Sequence, residues 1–465
     1  MAPRLATRLS ALLLSLLAGA AAASPAQRLA EAVRIPTISY QDRELIDYSQ
    51  FAHFNQFLRD NYPLVFDALE VETVNGFSLL LRWPGSDPAL APVLFTAHTD
   101  VVPVEPGTEG DWQHPPFAGV VADGRIYGRG TLDDKVGVLS LLEAAQQLLA
   151  EGFEPRRGIV FAFGHDEEIS GHDGASALAA RMRELGLHFS WMVDEGGMLV
   201  SDNPLLAGQT MAMINIAEKG YLTLILTATG EGGHSSNPPQ VSTIGRLSNA
   251  LARIEANPFP PRLVVPVAAM FETLAPHVGQ PEQLIFENLW LTDWLVARNM
   301  AGNRATMPFV RTTTALTMFN AGVKENVVPQ RAEARVNFRL LPGDEPEDVV
   351  SYIEDVVDDP LVEVSYEQWD NRPGVASIDG PGFAVISAAI AAVYPQAVVV
   401  PSLLTATTDT RHYVDLADDQ YRFHGVELAT SQATSVHGTD EYVGVRSYEN
   451  SIAIARAMIT GAAAP

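Results

Sequence analysis

Three short stretches of the chain are apolar almost without interruption: Pro92-Val-Leu-Phe-Thr-Ala97, Gly158-Ile-Val-Phe-Ala-Phe163 and Phe189-Ser-Trp-Met-Val193. Continuous rather than alternating apolarity over strand length marks strands buried on both faces. Each run stops at a polar cluster: His98-Thr-Asp100, His165-Asp-Glu-Glu168 and Asp194-Glu195. Ligands of open α/β sheets gather beyond the carboxyl ends of strands, so these three ends point at one shared site. Between the first two runs, Val138, Leu141, Leu142, Ala145 and Leu149 recur at helical spacing, and the pattern predicts a helix over 136–150 with Gly152 as its stop. Asp133 and Asp134 fall at its start, where a carboxylate caps free backbone N–H groups. Capping explains one of the two acids and leaves the other free.

Beyond about Ile214 the pattern changes. Glu218 to Thr229, Thr312 to Met318 and Ala332 to Arg339 alternate polar with apolar, as a sheet wet on one face does, and helical stretches are predicted at 243–254 and 345–357. Residues 257–307 are rich in Pro, Trp, Leu and Asn without clean periodicity and read as an extension that covers something. From about Gly374 short apolar runs such as Ala397 to Val400 return. The expected architecture is α/β: a catalytic domain with a mixed central sheet flanked by helices, over 24–214 and 371–465, interrupted by an inserted α+β lid over 215–370.

The first two dozen residues differ in kind. Arg4 and Arg8 precede the apolar run Leu9 to Ala18 and the small-residue stretch Gly19 to Ser24. That order reads as a signal peptide over 1–23, cleaved near Ala22 to Ala23, and predicts an exported chain, periplasmic or secreted, with no stable membrane span after cleavage. Composition then removes whole classes of chemistry. With 56 Asp and Glu against 30 Lys and Arg, the net charge of −26 repels nucleic acid. There is no cysteine, so disulfides, thiolate ligands and a thiol nucleophile are excluded. Any bound metal must be held by His, Asp and Glu.

Such ligands are what the strand ends supply. Zinc takes imidazole nitrogen and carboxylate oxygen, and a carboxylate two residues from a liganding His can hold its other ring nitrogen, as Asp100 can for His98. Adjacent acids at a strand end point in different directions, so of Glu167 and Glu168 one can bind metal while the other serves as general base. No Gly-x-Ser-x-Gly elbow and no His-Glu-x-x-His pair occurs, which argues against a serine hydrolase and a single-zinc protease. An exported binding protein without activity stays as a third reading.

The series His98-Thr-Asp100, Gly128-Arg-Gly-x-x-Asp133-Asp134-Lys135, Asp166-Glu167-Glu168, Asp194-Glu195-Gly196, Gly233-His234-Ser235-Ser236 and His437-Gly-Thr-Asp-Glu441 closely resembles the co-catalytic zinc peptidases, which include carboxypeptidase S, glutamate carboxypeptidase and aminoacylase. The likeness runs from about Ala30 to Ala457 and is nearest to the carboxypeptidase S and secreted N-acyl amino acid hydrolase branch. It implies two Zn2+ ions per chain, with Co2+ or Mn2+ as other divalent options, and Asp133 bridging them. His98 and Glu195 would complete one ion, with Asp194 as the alternative to Glu195, and Glu168 with His437 the other. The resemblance further implies a cis peptide after Asp133, Glu167 as general base, Asp100 orienting His98, and His234 stabilising the oxyanion. Arg339 and Asn326 match positions that bind the substrate carboxylate, and Arg411 is a further substrate-binding candidate. The implied activity is hydrolysis of an amide bond next to a free carboxylate, in a small peptide or an N-acyl amino acid, with a homodimer formed through the lid. The chain departs from the family at Ala406-Thr-Thr-Asp409, where Gly-Gly-Thr-Asp is usual, and at His172, where a small residue is usual.

Overall fold

The computed structural model describes residues 23–206, 208–366 and 374–464. The leader expected over 1–23 thus lies outside the described residues except for Ala23. The continuous apolar runs become neighbouring strands. Val93–His98 pairs in parallel with Ile159–Gly164 on one side and Trp191–Asp194 on the other. They lie near the middle of a ten-stranded mixed sheet that also takes in Glu70–Val74, Ser78–Trp83, Gln420–Arg422, Met211–Glu218 and Val398–Leu404. Both faces of the sheet are covered, one by Lys135–Ala150 and Val445–Ala462 and the other by Ala175–Glu184, and the side chains of Val93–His98 are buried throughout. Strands without a wet face carry no polar alternation, which is why the runs were legible. The helix expected over 136–150 spans Lys135–Ala150, and Gly152 follows it at φ +75°, the left-handed conformation that glycine adopts without strain.

The alternating stretch that begins at Glu218 divides at Lys219. Met211–Glu218 belongs to the large sheet, while Gly220–Thr229 opens a separate antiparallel sheet in the order Thr313–Ala321, Arg331–Leu340, Gly220–Thr229, Val362–Tyr366. Helices Thr243–Ala256 and Pro346–Val357 pack on one face of it, burying Leu222, Leu224, Leu226, Val336 and Phe338 against Leu247, Ile254, Val349 and Ile353. The hand-over between sheets therefore falls a few residues past the expected 214/215 boundary. The return boundary at 370/371 lies outside the described residues. The irregular segment 257–307 forms helices Val265–Leu274, Glu282–Phe286 and Leu289–Ala301. Their core, including Val267, Phe271, Leu274 and Val296, closes over Met211, Val398, Val400 and Leu403 at the edge of the large sheet. The extension interrupts the lid in sequence but packs on the catalytic body.

Candidate metal centre

The polar residues that end the three buried strands converge. His98 is the last residue of its strand and is buried. Its Nε2 lies 2.9 Å from Asp133 Oδ1 and 3.7 Å from Glu195 Oε1. The other oxygen of Asp133, Oδ2, lies 2.9 Å from His437 Nε2, and that same nitrogen is 3.2 Å from Glu168 Oε2. Two groups of donors result, His98 with Asp133 and Glu195, and Asp133 with Glu168 and His437, the atoms of each group lying within 4.8 Å of one another. Asp133 belongs to both.

Local structure explains how two adjacent acids divide their tasks. Asp134 caps helix Lys135–Ala150, its Oδ1 accepting from Gly137 N at 3.1 Å, and its Oδ2 accepts from His98 N at 3.2 Å. The Asp133–Asp134 peptide is cis, and Asp133 faces the two histidines. Asp100 stands behind His98, with its Oδ1 3.2 Å from His98 Nδ1, and its two oxygens accept the backbone N–H groups of Glu167 and Glu168 at 3.1 and 3.2 Å. One buried carboxylate thus holds both the His98 ring and the loop bearing Glu167 and Glu168.

The electrostatics of the cluster follow from its burial and from the crowding of its acids. Burial, and then the charge of Asp133, push Glu195 well above the ordinary carboxylate range and Glu168 up to about 7. Burial also raises Glu167, with Asp409 and Glu168 adding to it and His98 and Arg411 opposing. Hydrogen bonds to Asp133 and Glu168 hold His437 up at about 10. Carboxylates crowded together in a poorly solvated place call for cations between them. Among the described residues Glu168 Oε1 is buried with no hydrogen-bond partner, and imidazole with carboxylate is a donor set that zinc accepts. The residues fit two divalent ions.

Not every expected site residue joins this cluster. Asp194, the alternative to Glu195, points elsewhere: its Oδ2 accepts from Thr410 Oγ1 at 2.8 Å, and Glu195 takes the place in the donor group. Successive strand residues face opposite sides, so only one of the pair can meet His98. His234 is exposed on the lid, and its Nδ1 is bonded to Ser236 N and Oγ at 3.1 and 2.7 Å. Asn326 is beside it, its backbone oxygen accepting from Ser235 N at 3.2 Å. The charges of Arg339 and Arg411 both act on Glu167, and that of Arg411 acts on Arg339, which sets the two guanidinium groups near Glu167. His172 is exposed, its ring 5.9 Å from that of His412. Two supports were missed in the sequence. Glu441 is fully buried and accepts from Gly130 N, Leu132 N and Arg129 Nη1, and His424 ion-pairs with Asp134. Neither carries a local signal, because each acts through the backbone or a second side chain.

Residues 94–461 match the family model described as peptidase family M20/M25/M40. The chain is a member of this family. Relatives in the M20 family cover nearly the whole chain. The N-fatty-acyl-amino acid synthase/hydrolase PM20D1 of Bos taurus is 38% identical over 92% of this chain and 85% of its own length. A probable carboxypeptidase S-like 2 of Dictyostelium discoideum is 37% identical over 91% of this chain and 82% of its own. The fold agrees with that of the M20 family metallo-carboxypeptidase Sso-CP2 of Sulfolobus solfataricus, at a TM-score of 0.69 and 19% identity, covering 95% of this chain and 99% of that one. The M20 chain is accordingly an enzyme of the peptidase and amidohydrolase class.

Proposed function

We propose that the chain is a dinuclear zinc hydrolase that cleaves an amide bond next to a free carboxylate, as a carboxypeptidase or dipeptidase of the carboxypeptidase S type. The observation that carries this reading is Asp133, whose two oxygens face separate donor groups with Glu167 at their side. His98, Asp133 and Glu195 would hold one ion, and Asp133, Glu168 and His437 the other; bound there, the metals supply Lewis acidity and a water acidic enough to ionise near neutral pH. Glu167 takes the proton of the attacking water and returns it to the leaving amine. A raised Glu167 suits the second of these roles, since a carboxyl that holds its proton near neutrality can also give it up. Arg339 and Arg411 receive the substrate carboxylate, and Asp100 keeps His98 and the Glu167 loop in place.

A second reading, hydrolysis of N-acyl amino acids, is favoured by the likeness to the bovine N-fatty-acyl-amino acid synthase/hydrolase. The bond and the flanking carboxylate are the same, and only the acyl side differs. A panel of dipeptides and N-acyl amino acids, assayed with the zinc-loaded enzyme, separates the two, and inertness toward both classes would sink the proposal. Chelation is expected to abolish turnover and added zinc to restore it. Glu167→Gln is expected to lower kcat by about 10²–10⁴-fold with both metals retained; full activity in that variant would remove Glu167 from the mechanism.

Export is part of the proposal, from the leader pattern alone; no helix among the described residues is long and apolar enough to cross a membrane. A homodimer through the lid is supported by the edge strand Thr313–Ala321, which leaves Leu316, Met318 and Phe319 exposed. Sedimentation showing only monomer at micromolar concentration would contradict it.

A further inference from the structure

We propose that Thr407 is the positioning residue for Arg339, fixing the guanidinium of the lid in the orientation that receives the substrate's free carboxylate. The inference rests on the functional reading above. Arg339 lies on lid strand Arg331–Leu340 directly opposite Tyr221 on Gly220–Thr229, and its guanidinium carbon stands 4.7 Å from the centre of the Tyr221 ring. A face contact of this kind sets the height of the guanidinium over the ring but leaves the fork free to turn. Nη1 removes that freedom by donating to Thr407 Oγ1 at 3.0 Å. The remaining donors of the fork stay available for a bidentate carboxylate.

Thr407 belongs to the catalytic body rather than the lid, in the segment that follows strand Val398–Leu404. That segment is tied down next door. Thr408 N and Oγ1 donate to Glu218 Oε2 at 3.2 and 2.8 Å, and the fully buried Glu218 also accepts from Arg422 Nε at 3.2 Å. Arg339 therefore reaches across from the lid to a fixed post. Burial and the charge of Arg411 both work against the Arg339 cation, with Tyr221, Glu167 and Glu218 opposing. Two guanidinium groups at one side of the site gain from an anion placed between them. Thr407 also falls in the segment where the chain departs from the Gly-Gly-Thr-Asp pattern, and a glycine there has no side-chain oxygen to offer.

Steady-state kinetics of the zinc-loaded wild type, Thr407→Val and Thr407→Ser, on the dipeptide or N-acyl amino acid of the panel that is turned over best and on its carboxyl-terminal primary amide, test this. The Val side chain keeps the shape and loses the acceptor. It is expected to raise KM for the free acid about tenfold, to leave kcat within about twofold, and to leave the amide substrate unaffected. Thr407→Ser is expected to restore the wild-type KM. An unchanged KM in Thr407→Val, an equal loss on acid and amide, or a Ser variant as impaired as Val would each overturn the assignment. If the Val variant does not fold, Thr407→Ala carries the same expectation and the same refutation. The two levels of inference fail differently. A wild type that hydrolyses neither substrate, or both equally well, overturns the functional reading and this one with it. A wild type that prefers the acid, with Thr407→Val unaltered, overturns only the role of Thr407.

Discussion

Asp133 gives one carboxylate oxygen to His98 and the other to His437, so a single residue joins two donor groups that come from distant parts of the chain. Which neighbour completes each group is a matter of side-chain direction, and it can be tested by counting metal. Glu195→Gln is expected to reduce bound zinc from two toward one per chain, while Asp194→Asn, which alters a carboxylate engaged with Thr410, keeps two. Atomic absorption on the dialysed variants decides between them, and the reverse pattern would restore Asp194 as the ligand. Proton competition follows from the same geometry. In the metal-free protein His437 is held up at about 10 by Asp133 and Glu168, and Glu168 at about 7 by burial and Asp133. Ligation requires both to be unprotonated. Metal must therefore displace protons at neutral pH, and affinity rises with pH. A chelator-competition titration is expected to show zinc Kd tightening by about tenfold or more per pH unit near 7, and a flat profile would contradict the ligand set.

At the scale of the element, the loop before helix Lys135–Ala150 has no hydrogen-bonded ladder of its own. Glu441 supplies one, accepting Gly130 N at 3.0 Å, Leu132 N at 2.8 Å and Asp133 N at 3.4 Å while pairing with Arg129 Nη1 at 2.5 Å. Both members of that ion pair are buried. Removing one side leaves the other charge uncompensated, so Glu441→Ala is expected to cost about 3–5 kcal/mol in denaturant unfolding and to lower activity through misplaced Asp133. Glu441→Gln, which keeps the acceptor, is expected to cost less. Equal stability of Glu441→Ala and wild type would show that the loop holds itself.

At the scale of the whole molecule, Lys219 is the joint between the two sheets. Its Nζ is buried and donates to the backbone oxygens of Pro308 and Arg311 at 3.1 and 2.8 Å, which ties the hinge to the end of the extension. Burial, with Arg339 adding to it, pushes this amine down to about 7 from its ordinary 10.5. Between those values the unfolded chain carries a proton that the folded chain does not. The destabilisation is therefore full below about pH 7 and fades as pH rises toward 10.5, so this contribution makes stability rise with pH in that window. Lys135, likewise lowered to about 7 by burial, acts in the same direction. Comparing urea midpoints of wild type and Lys219→Met from pH 7 to 9.5 is expected to show a smaller rise in the variant; identical slopes would refute the assignment.

The sequence alone determined the strands that carry the site, because strands buried on both faces hold few polar residues and no charged one until they end. It also determined that one acid of Asp133-Asp134 caps a helix and the other is free, since a helix start has a place for one cap. The tertiary structure decided the rest. Whether Glu195 or Asp194 meets His98 depends on the face each turns to at the strand end, and no one-dimensional pattern records that. The extension 257–307 showed no period because its three short helices pack on a sheet edge built from residues on both sides of the lid. Glu441, His424 and Thr407 act through contacts more than 60 positions away in the chain, and contacts of that reach exist only once the chain has folded.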